Sequence, residues 1–314
     1  MLRAVFMGSD RFSVPVLQRL LDAGPSLSPS VQVAAVVTQP DRPAGRGRTL
    51  ETGPVKRLAE SVGIPVLQPE RLRAIDDVTA VQSYEPRLLV VASYGQIIPA
   101  AVLDYPRHGS LNIHPSLLPA FRGPSPIVSA ILAGDAITGV TLMLMTEKVD
   151  AGPVIAQQRL EIGADESAGH LSMRLADLGA ALLVQELPNW IEEKLSPVPQ
   201  DDTLATFTKR IAKDDGRIDW TLPAAAISRQ VCAYNPWPGS FTTWRDRRLE
   251  ILRAMQREGQ SEPGLVTTGP DLIEIGTGRG LLKVEELQLA GGKAQTAGEF
   301  LRGRPSIAEA RLGS

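Results

Sequence analysis

The chain has 314 residues, 43% of them apolar and 22% charged, a composition that can bury a core and is not that of a disordered chain. Lysine and arginine total 33 against 35 acidic residues, so a net charge of −2 excludes a polycationic protein but not a local basic surface. One cysteine, Cys232, excludes an internal disulfide or thiolate cluster, and three histidines, His108, His114 and His170, argue against a histidine-rich metal site.

Residues 4–7, 33–37 and 88–92 are short apolar runs rich in β-branched side chains, as in strands buried on both faces of a parallel sheet. Helical spacing covers 12–23, 54–62 and, more weakly, 70–84. Strands alternating with helices predict an α/β open sheet with right-handed crossovers. Further strands are expected at 110–114, 140–145 and 154–158, and a long helix at 167–193, interrupted near Pro188. Residues 195–202 carry turn and breaker residues without periodicity and read as a linker.

Beyond it, short strand candidates at 240–244, 249–253, 264–267, 272–275 and 281–287, separated by turn signals, suggest a small β-barrel preceded by a helix near 223–234. The predicted organisation is a catalytic domain over 1–194, a linker over 195–206 and a second domain over 207–314. Residues 203–314 hold 16 Lys/Arg and 13 Asp/Glu, a mildly basic module after an acidic one. No run approaches the roughly 18 apolar residues of a membrane span. The N-terminus reads as a strand rather than an export or transit signal, so a cytoplasmic protein without membrane contact is expected.

Open α/β sheets bind ligands at the carboxyl ends of their strands. A dinucleotide is disfavoured, because the first strand ends in Gly8-Ser9-Asp10 and no G-x-G-x-x-G follows a strand. Phosphate-loop, H-E-x-x-H and G-x-S-x-G motifs are absent as well.

The informative stretch is Gly109-Ser110-Leu111-Asn112-Ile113-His114-Pro115-Ser116-Leu117-Leu118-Pro119. On a strand, Leu111 and Ile113 share one face and Asn112 and His114 the other. Pro115 lacks an N–H and should end the strand beside the histidine, at the ligand-binding edge. Two N–H donors about 6.5–7 Å apart along a strand can converge on one oxygen. Such an oxyanion hole is worth roughly 3–4 kcal/mol per donor. An isolated Asn-x-His more often only hydrogen-bonds neighbouring loops. Asp150, before Gly152-Pro153 and after the run 140–145, sits on a loop at a strand end. A carboxylate there would raise the pKa of a nearby imidazole and accept a proton, although a turn-forming Asp is the commoner reading in isolation.

Taken together, Asn112-x-His114, Ser116-Leu117-Leu118-Pro119, Arg122-Gly123 and Asp150-x-Gly152 resemble the 10-formyltetrahydrofolate-dependent formyltransferases. The resemblance extends through Thr38–Arg48, Pro54-Val55-Lys56, Arg217-Ile218-Asp219-Trp220, Asn235-Pro236-Trp237-Pro238, Leu287-Gln288 and Gly292-Lys293, in order, from residue 5 to about residue 303. It is strongest with members whose acceptor is initiator methionyl-tRNA.

It implies a Rossmann-like catalytic domain, an OB-like barrel and 10-formyltetrahydrofolate as formyl donor, with no metal. Asn112 and His114 would stabilise the oxyanion, while Asp150 would hold His114 protonated and relay the amine's proton. Ser116, Leu117, Leu118 and Pro119, through their backbone, and Tyr94, Gly95, Gln96 and Ile97 would line the pterin pocket; a plain strand-to-helix turn explains the latter four equally well.

The loop 39–48, with Arg42, Arg46 and Arg48, reads by itself as a solvated surface loop or as a phosphate-neutralising one. The resemblance places it in the tRNA acceptor stem, Arg42 foremost. Lys209, Arg210, Lys213 and Arg217 form the second expected tRNA contact, with Arg245, Arg247 and Arg248 at a turn beyond it. The expected partner is tRNA, not DNA, and the expected state a monomer.

The sequence departs from the family at Ser9, Thr49, Ala120 and Pro124-Ser125, beside the folate pocket and in the basic loop. Competing readings are a formyltransferase for a small amine (glycinamide ribonucleotide or an aminosugar nucleotide), a hydrolase of the formyl donor and a non-catalytic tRNA-binding protein.

Overall fold

A computed structural model describes residues 1–44 and 49–313, and the chain divides into two units. The first contains residues 1–126, 137–161 and 172–209; the second contains 127–136, 162–171 and 210–314.

The first unit is built on a seven-stranded sheet. In chain order its elements are β1 (Leu2–Gly8), α1 (Ser13–Ala23), β2 (Val31–Val37), β3 (Arg42–Ala44), β4 (Thr49–Glu51), α2 (Pro54–Ser61) and β5 (Val66–Leu67). There follow α3 (Ile75–Gln82), β6 (Leu88–Ala92), α4 (Ala100–Leu103) and β7 (Ser110–His114). After α5 (Pro126–Ala133), whose residues from 127 onward group with the second unit, come β8 (Ile137–Leu144), β9 (Val154–Glu161) and α6 (Ala168–Ile191). The strand order is β5-β2-β1-β6-β7-β8-β9. The first five are parallel, β8 runs antiparallel to them, and β9 runs antiparallel to β8.

β1, β2 and β6 read as continuous apolar runs because both faces are covered, and β6 is buried throughout. One face packs Val5, Met7, Val37, Leu89 and Val91 against Leu72, Val78, Val81 and Val102. Helix α6 lies close to β7, for a Cβ on Gly179 would stand 2.5 Å from Ile113 Cγ2. The order reverses at β1, which has β2 on one side and β6 on the other. That switch point opens a crevice at the carboxyl ends of the strands.

The second unit contains α7 (Ala224–Ala233), β10 (Ser240–Trp244), β11 (Arg247–Arg257), β12 (Val266–Gly269), β13 (Leu272–Gly276), β14 (Leu281–Leu289), β15 (Gln295–Thr296) and α8 (Ala297–Gly303). The antiparallel path runs β10-β11-β14-β13-β12, with β15 beside β14. Inward alternate residues such as Leu249, Ile251, Leu282 and Val284 join Trp220, Ile227 and Phe300 in one core. This is the separate C-terminal β domain the resemblance implies. Helix α8, not foreseen, has its own start signal: Thr296 and Glu299 form a reciprocal capping box.

Several expectations are corrected. Helix α6 is not interrupted at Pro188; the proline falls in its last turn, where the buried Leu187 and Ile191 hold the helix on the core. Residues 42–44 and 49–51 form a short antiparallel ladder rather than loop, while Arg46 and Arg48 lie outside the described residues.

The segment expected as a linker belongs to the first unit. Val198 exchanges backbone hydrogen bonds with Val154, and Arg122 exchanges them with Thr206 and Thr208. Residues 127–136 and 162–171 instead join the second unit, where Arg229 Nε donates to the Leu132 carbonyl and Gly169 N–H to the Asn235 carbonyl.

Candidate active site at the end of the seventh strand

β7 pairs with β6 through Val91 and Asn112, and with β8 through His114 and Thr141. It ends at His114, because Pro115 offers no ladder donor. Asn112 and His114 are buried, 8% and 4% exposed. Among the described residues the Asn112 amide makes no hydrogen bond to the protein. A half-hidden amide without a partner is a donor kept for something else.

His114 is tightly held. Its Nε2 lies 3.0 Å from the Phe121 carbonyl, which can only accept, so Nε2 carries the proton. Phe121 has φ 59, a left-handed conformation uncommon for a bulky side chain. Nδ1 stands 3.7 Å from Asp150 Oδ1, too far for a direct hydrogen bond but close enough for charge to be felt. Burial lowers the His114 pKa, opposed more weakly by the Asp150 carboxylate and the Phe121 hydrogen bond.

Two expectations change here. The carboxylate was expected to hold the imidazole protonated, whereas burial lowers the imidazole pKa by more than the Asp150 charge raises it. His114 is also not a second ready donor beside Asn112, since its one N–H is spent on Phe121 and its free nitrogen is a base.

Asp150 reaches this place by an unforeseen route. β8 runs against β7, so its carboxyl end lies at the opposite edge of the sheet. The loop 145–153 therefore has to return to bring Asp150 beside His114. Gly123 N–H donates to Asp150 Oδ2 at 2.8 Å, and Gly123 has φ 110, a conformation open chiefly to glycine.

The loop's backbone is held by Gln200, which the sequence reading passed over. Gln200 Nε2 donates to the carbonyls of Asp150 (2.9 Å) and Gly152 (2.7 Å). Its Oε1 accepts from Nε (3.0 Å) and one terminal nitrogen (2.8 Å) of the buried Arg122, which also meets Asp202 at 2.7 Å.

Ser116–Pro119 supports the site from behind. Ser116 N–H bonds the His114 carbonyl, and its own carbonyl accepts from Thr141. Leu118 N–H donates to Thr141 Oγ1, while the carbonyls of Leu118 and Pro119 accept from Gln157 and Thr206. The Leu117 carbonyl accepts from Ala120. These bonds fix the segment's backbone, and the Leu117 N–H makes no hydrogen bond among the described residues.

The loop after β6 divides in the same way. The Tyr94 ring is buried in the core, its hydroxyl lacks a hydrogen-bond partner among the described residues, and burial with nearby Asp77 pushes its pKa up to about 12. Gln96 is spent on Leu72 N–H and the Pro69 carbonyl. Gly95, at φ 76, packs on Gln39, and Ile97, 69% exposed, remains for a ligand.

The switch-point crevice, a cavity of about 360 Å³, lies one strand over from Asn112 and includes Ser9, Asp10, Asp41, Arg42, Glu51 and Ser93. Lys56 bonds Asp41 at 2.6 Å and, with Gln68, holds its carboxyl below the usual range. Arg42 is one of the residues lining this crevice. Lys209, Arg210, Lys213 and Arg217 are exposed along the chain, with the Arg217 guanidinium 5.5 Å from the Phe241 ring centre. Among the described residues no group of three His, Cys, Asp or Glu side chains is placed to hold a metal ion, and no helix is long and apolar enough to cross a membrane.

A Rossmann-like sheet with a buried amide and imidazole and a partly buried carboxylate beside one strand end is suited to group transfer. Residues 2–187 match the formyl transferase family and residues 210–305 its C-terminal domain, and the chain belongs to that family. It is 44% identical over 308 residues to the methionyl-tRNA formyltransferase of Chloroflexus aurantiacus, covering 96% of this chain and 97% of the relative. It is 45% identical over 316 residues to that of Roseiflexus sp. (strain RS-1), covering 99% and 95%. HypX from Aquifex aeolicus, solved in complex with tetrahydrofolic acid, shares the fold with a TM-score of 0.63 at 20% identity, over 97% of this chain and 47% of that one.

Proposed function

We propose that the chain transfers a formyl group from 10-formyltetrahydrofolate to the α-amine of methionyl initiator tRNA. The observation that supports this best is the Asn112 amide, without a protein partner among the described residues, beside His114 and Asp150, in a chain similar over nearly its whole length to methionyl-tRNA formyltransferases. The crevice at β1, β2 and β6 receives the acceptor end, with Arg42 in its lining. Ile97 supplies an apolar surface for the folate ring.

The amine nitrogen attacks the formyl carbon and the carbonyl electron pair moves to oxygen. Asn112 donates to that oxygen. His114 Nδ1 takes the proton lost by the amine, and Asp150 stabilises the imidazolium that results. Collapse re-forms the carbonyl, and the folate nitrogen departs with a proton returned from His114. Gln200, Gly123 and Arg122 keep the carboxylate in place throughout.

The test compares formyl transfer to initiator Met-tRNA with transfer to small amines. A preference for a small amine overturns the reading, as does formate release without any acceptor. Arg42→Ala should erode discrimination between initiator and elongator Met-tRNA by about tenfold while leaving transfer to a saturating initiator within about twofold. Unchanged discrimination would remove Arg42 from recognition.

The state of His114 can be read directly by NMR. Its imidazole should titrate below 6.5, and Asp150→Asn should lower it further by removing the opposing carboxylate. A folded-state pKa below the unfolded value means the unfolded chain binds the proton first. Stability from this group is therefore full above about pH 6.5 and falls as pH drops toward the folded-state pKa. A midpoint above 6.5 would show that the carboxylate, not burial, dominates.

A further inference from the structure

Gln39, just beyond the end of β2, lines the switch-point crevice with one end of its amide fixed and the other unused. Its Nε2 donates to the Tyr94 carbonyl at 2.9 Å, and its N–H donates to Ser9 Oγ, which itself donates to the same carbonyl at 3.0 Å. The Tyr94 carbonyl can only accept, so the amide nitrogen faces it and Oε1 is turned away. A Cβ on Gly95 would stand 2.5 Å from that nitrogen, so the amide lies here only because residue 95 is glycine. The Gln39 carbonyl accepts from Gln68 Nε2 at 3.0 Å, which anchors the main chain as well. No hydrogen bond reaches Oε1 among the described residues. The one polar side-chain atom sealed inside them without a partner is the Tyr94 hydroxyl, so Oε1 is open to the cavity. Neighbouring groups of the crevice are engaged: Asp10 accepts from Phe12 N–H and Ser93 Oγ, and Asp41 from Lys56 and Gln68. Thr38 is a second exception. It is 1% exposed, lines the same cavity, and its hydroxyl makes no hydrogen bond among the described residues.

An oriented carbonyl oxygen and a buried hydroxyl, both unspent, match a ligand that carries donors as well as acceptors. A phosphodiester offers acceptors only and leaves Oε1 unmatched. We infer that Gln39 Oε1 accepts a hydrogen bond from the ribose hydroxyl beside the aminoacyl ester on the acceptor's terminal nucleoside. The inference rests on the tRNA reading above and names the group that the crevice takes. With methionine esterified to the 3′ oxygen, the 2′-hydroxyl stands about 5–7 Å from the reacting amine. The Tyr94 carbonyl that holds the Gln39 amide follows β6, and β6 pairs with β7, which carries Asn112. Neighbouring strands lie about 4.8 Å apart, so the ribose can be held at one strand end while its amine reacts at the next. The 2′-hydroxyl is also the group by which a protein tells an RNA end from a DNA end.

The test uses the full chain and two forms of methionyl initiator tRNA, one ending in adenosine and the other in 2′-deoxyadenosine. Wild type should lose about tenfold in kcat/KM on the deoxy form. Gln39→Ala should be slower than wild type on the ribo form and should treat the two forms within about twofold of each other. Each ratio compares two substrates on one enzyme preparation, so a variant that only folds less well keeps the wild-type ratio. A tenfold ratio preserved in Gln39→Ala overturns the inference, as does a wild type that uses both ends equally. Gln39→Met, close in volume, carries the comparison if the alanine variant does not fold. Failure of wild type to formylate even the ribo form would instead sink the functional reading itself.

Discussion

Asn112→Ala is expected to lower kcat for formyl transfer by about 10²–10³, with KM for both substrates within about twofold. The structure leaves the amide unbonded among the described residues, so its removal breaks no internal hydrogen bond and leaves no orphaned partner. Thermal stability should change little. That separates a donor acting on developing charge from a structural residue, whose loss would lower stability before activity. On the proposed reading the His114 N–H is committed to Phe121, so Asn112 is the donor to the early oxyanion. Asn112→Asp keeps the shape and loses the donor, and should be impaired as severely. Steady-state kinetics with each substrate varied, beside a melting curve, check both variants. A loss confined to KM would show that the amide binds ground states instead.

The strand carrying this residue was legible in the sequence because period-two alternation and the following proline fix both its faces and its end. Leu111 and Ile113 went inward, as the pattern required, and Asn112 and His114 shared the other face. Composition and hydropathy also announced the parallel core strands and the short strands of the second unit. Pairing direction was less legible. An apolar run says that β8 exists, not that it runs against β7, and so the route by which Asp150 arrives was hidden.

Whether a backbone group is free was hidden too. In Ser116–Pro119, Thr141 and Gln157, on neighbouring strands, bond the Leu118 N–H and the Ser116 and Leu118 carbonyls, a pattern of support that residue types alone do not show. The protonation of His114 depends on how deeply it is buried, which emerges only when the loop 115–123 has closed over it.

Gln200 was the hardest to see, and substituting it gives the second large effect. It lies in a stretch of breaker residues with no periodicity, 50 positions from Asp150. Gln200→Glu should lower kcat by about 10–100-fold with little loss of stability. The two ends of this side chain do different work. Oε1 accepts two hydrogen bonds from the buried Arg122, and a carboxylate accepts them at least as well. Nε2 donates to the carbonyls of Asp150 and Gly152, and a glutamate would set oxygen against oxygen there. The loop would lose its tether and shift Asp150 away from His114, while the hydrogen bonds to Arg122 are kept.

Gln200→Ala removes both ends. It should lose activity and also stability, by about 1–3 kcal/mol, because Arg122 is left with fewer partners inside the protein. Gln200 is a positioning residue, so the loss should appear in kcat rather than KM, and the His114 imidazole pKa should fall as its carboxylate moves off. Equal kcat in wild type and Gln200→Glu would mean that Gly123 alone fixes the carboxylate. A lowered kcat with an unmoved His114 titration would mean that the loop acts on something other than the imidazole.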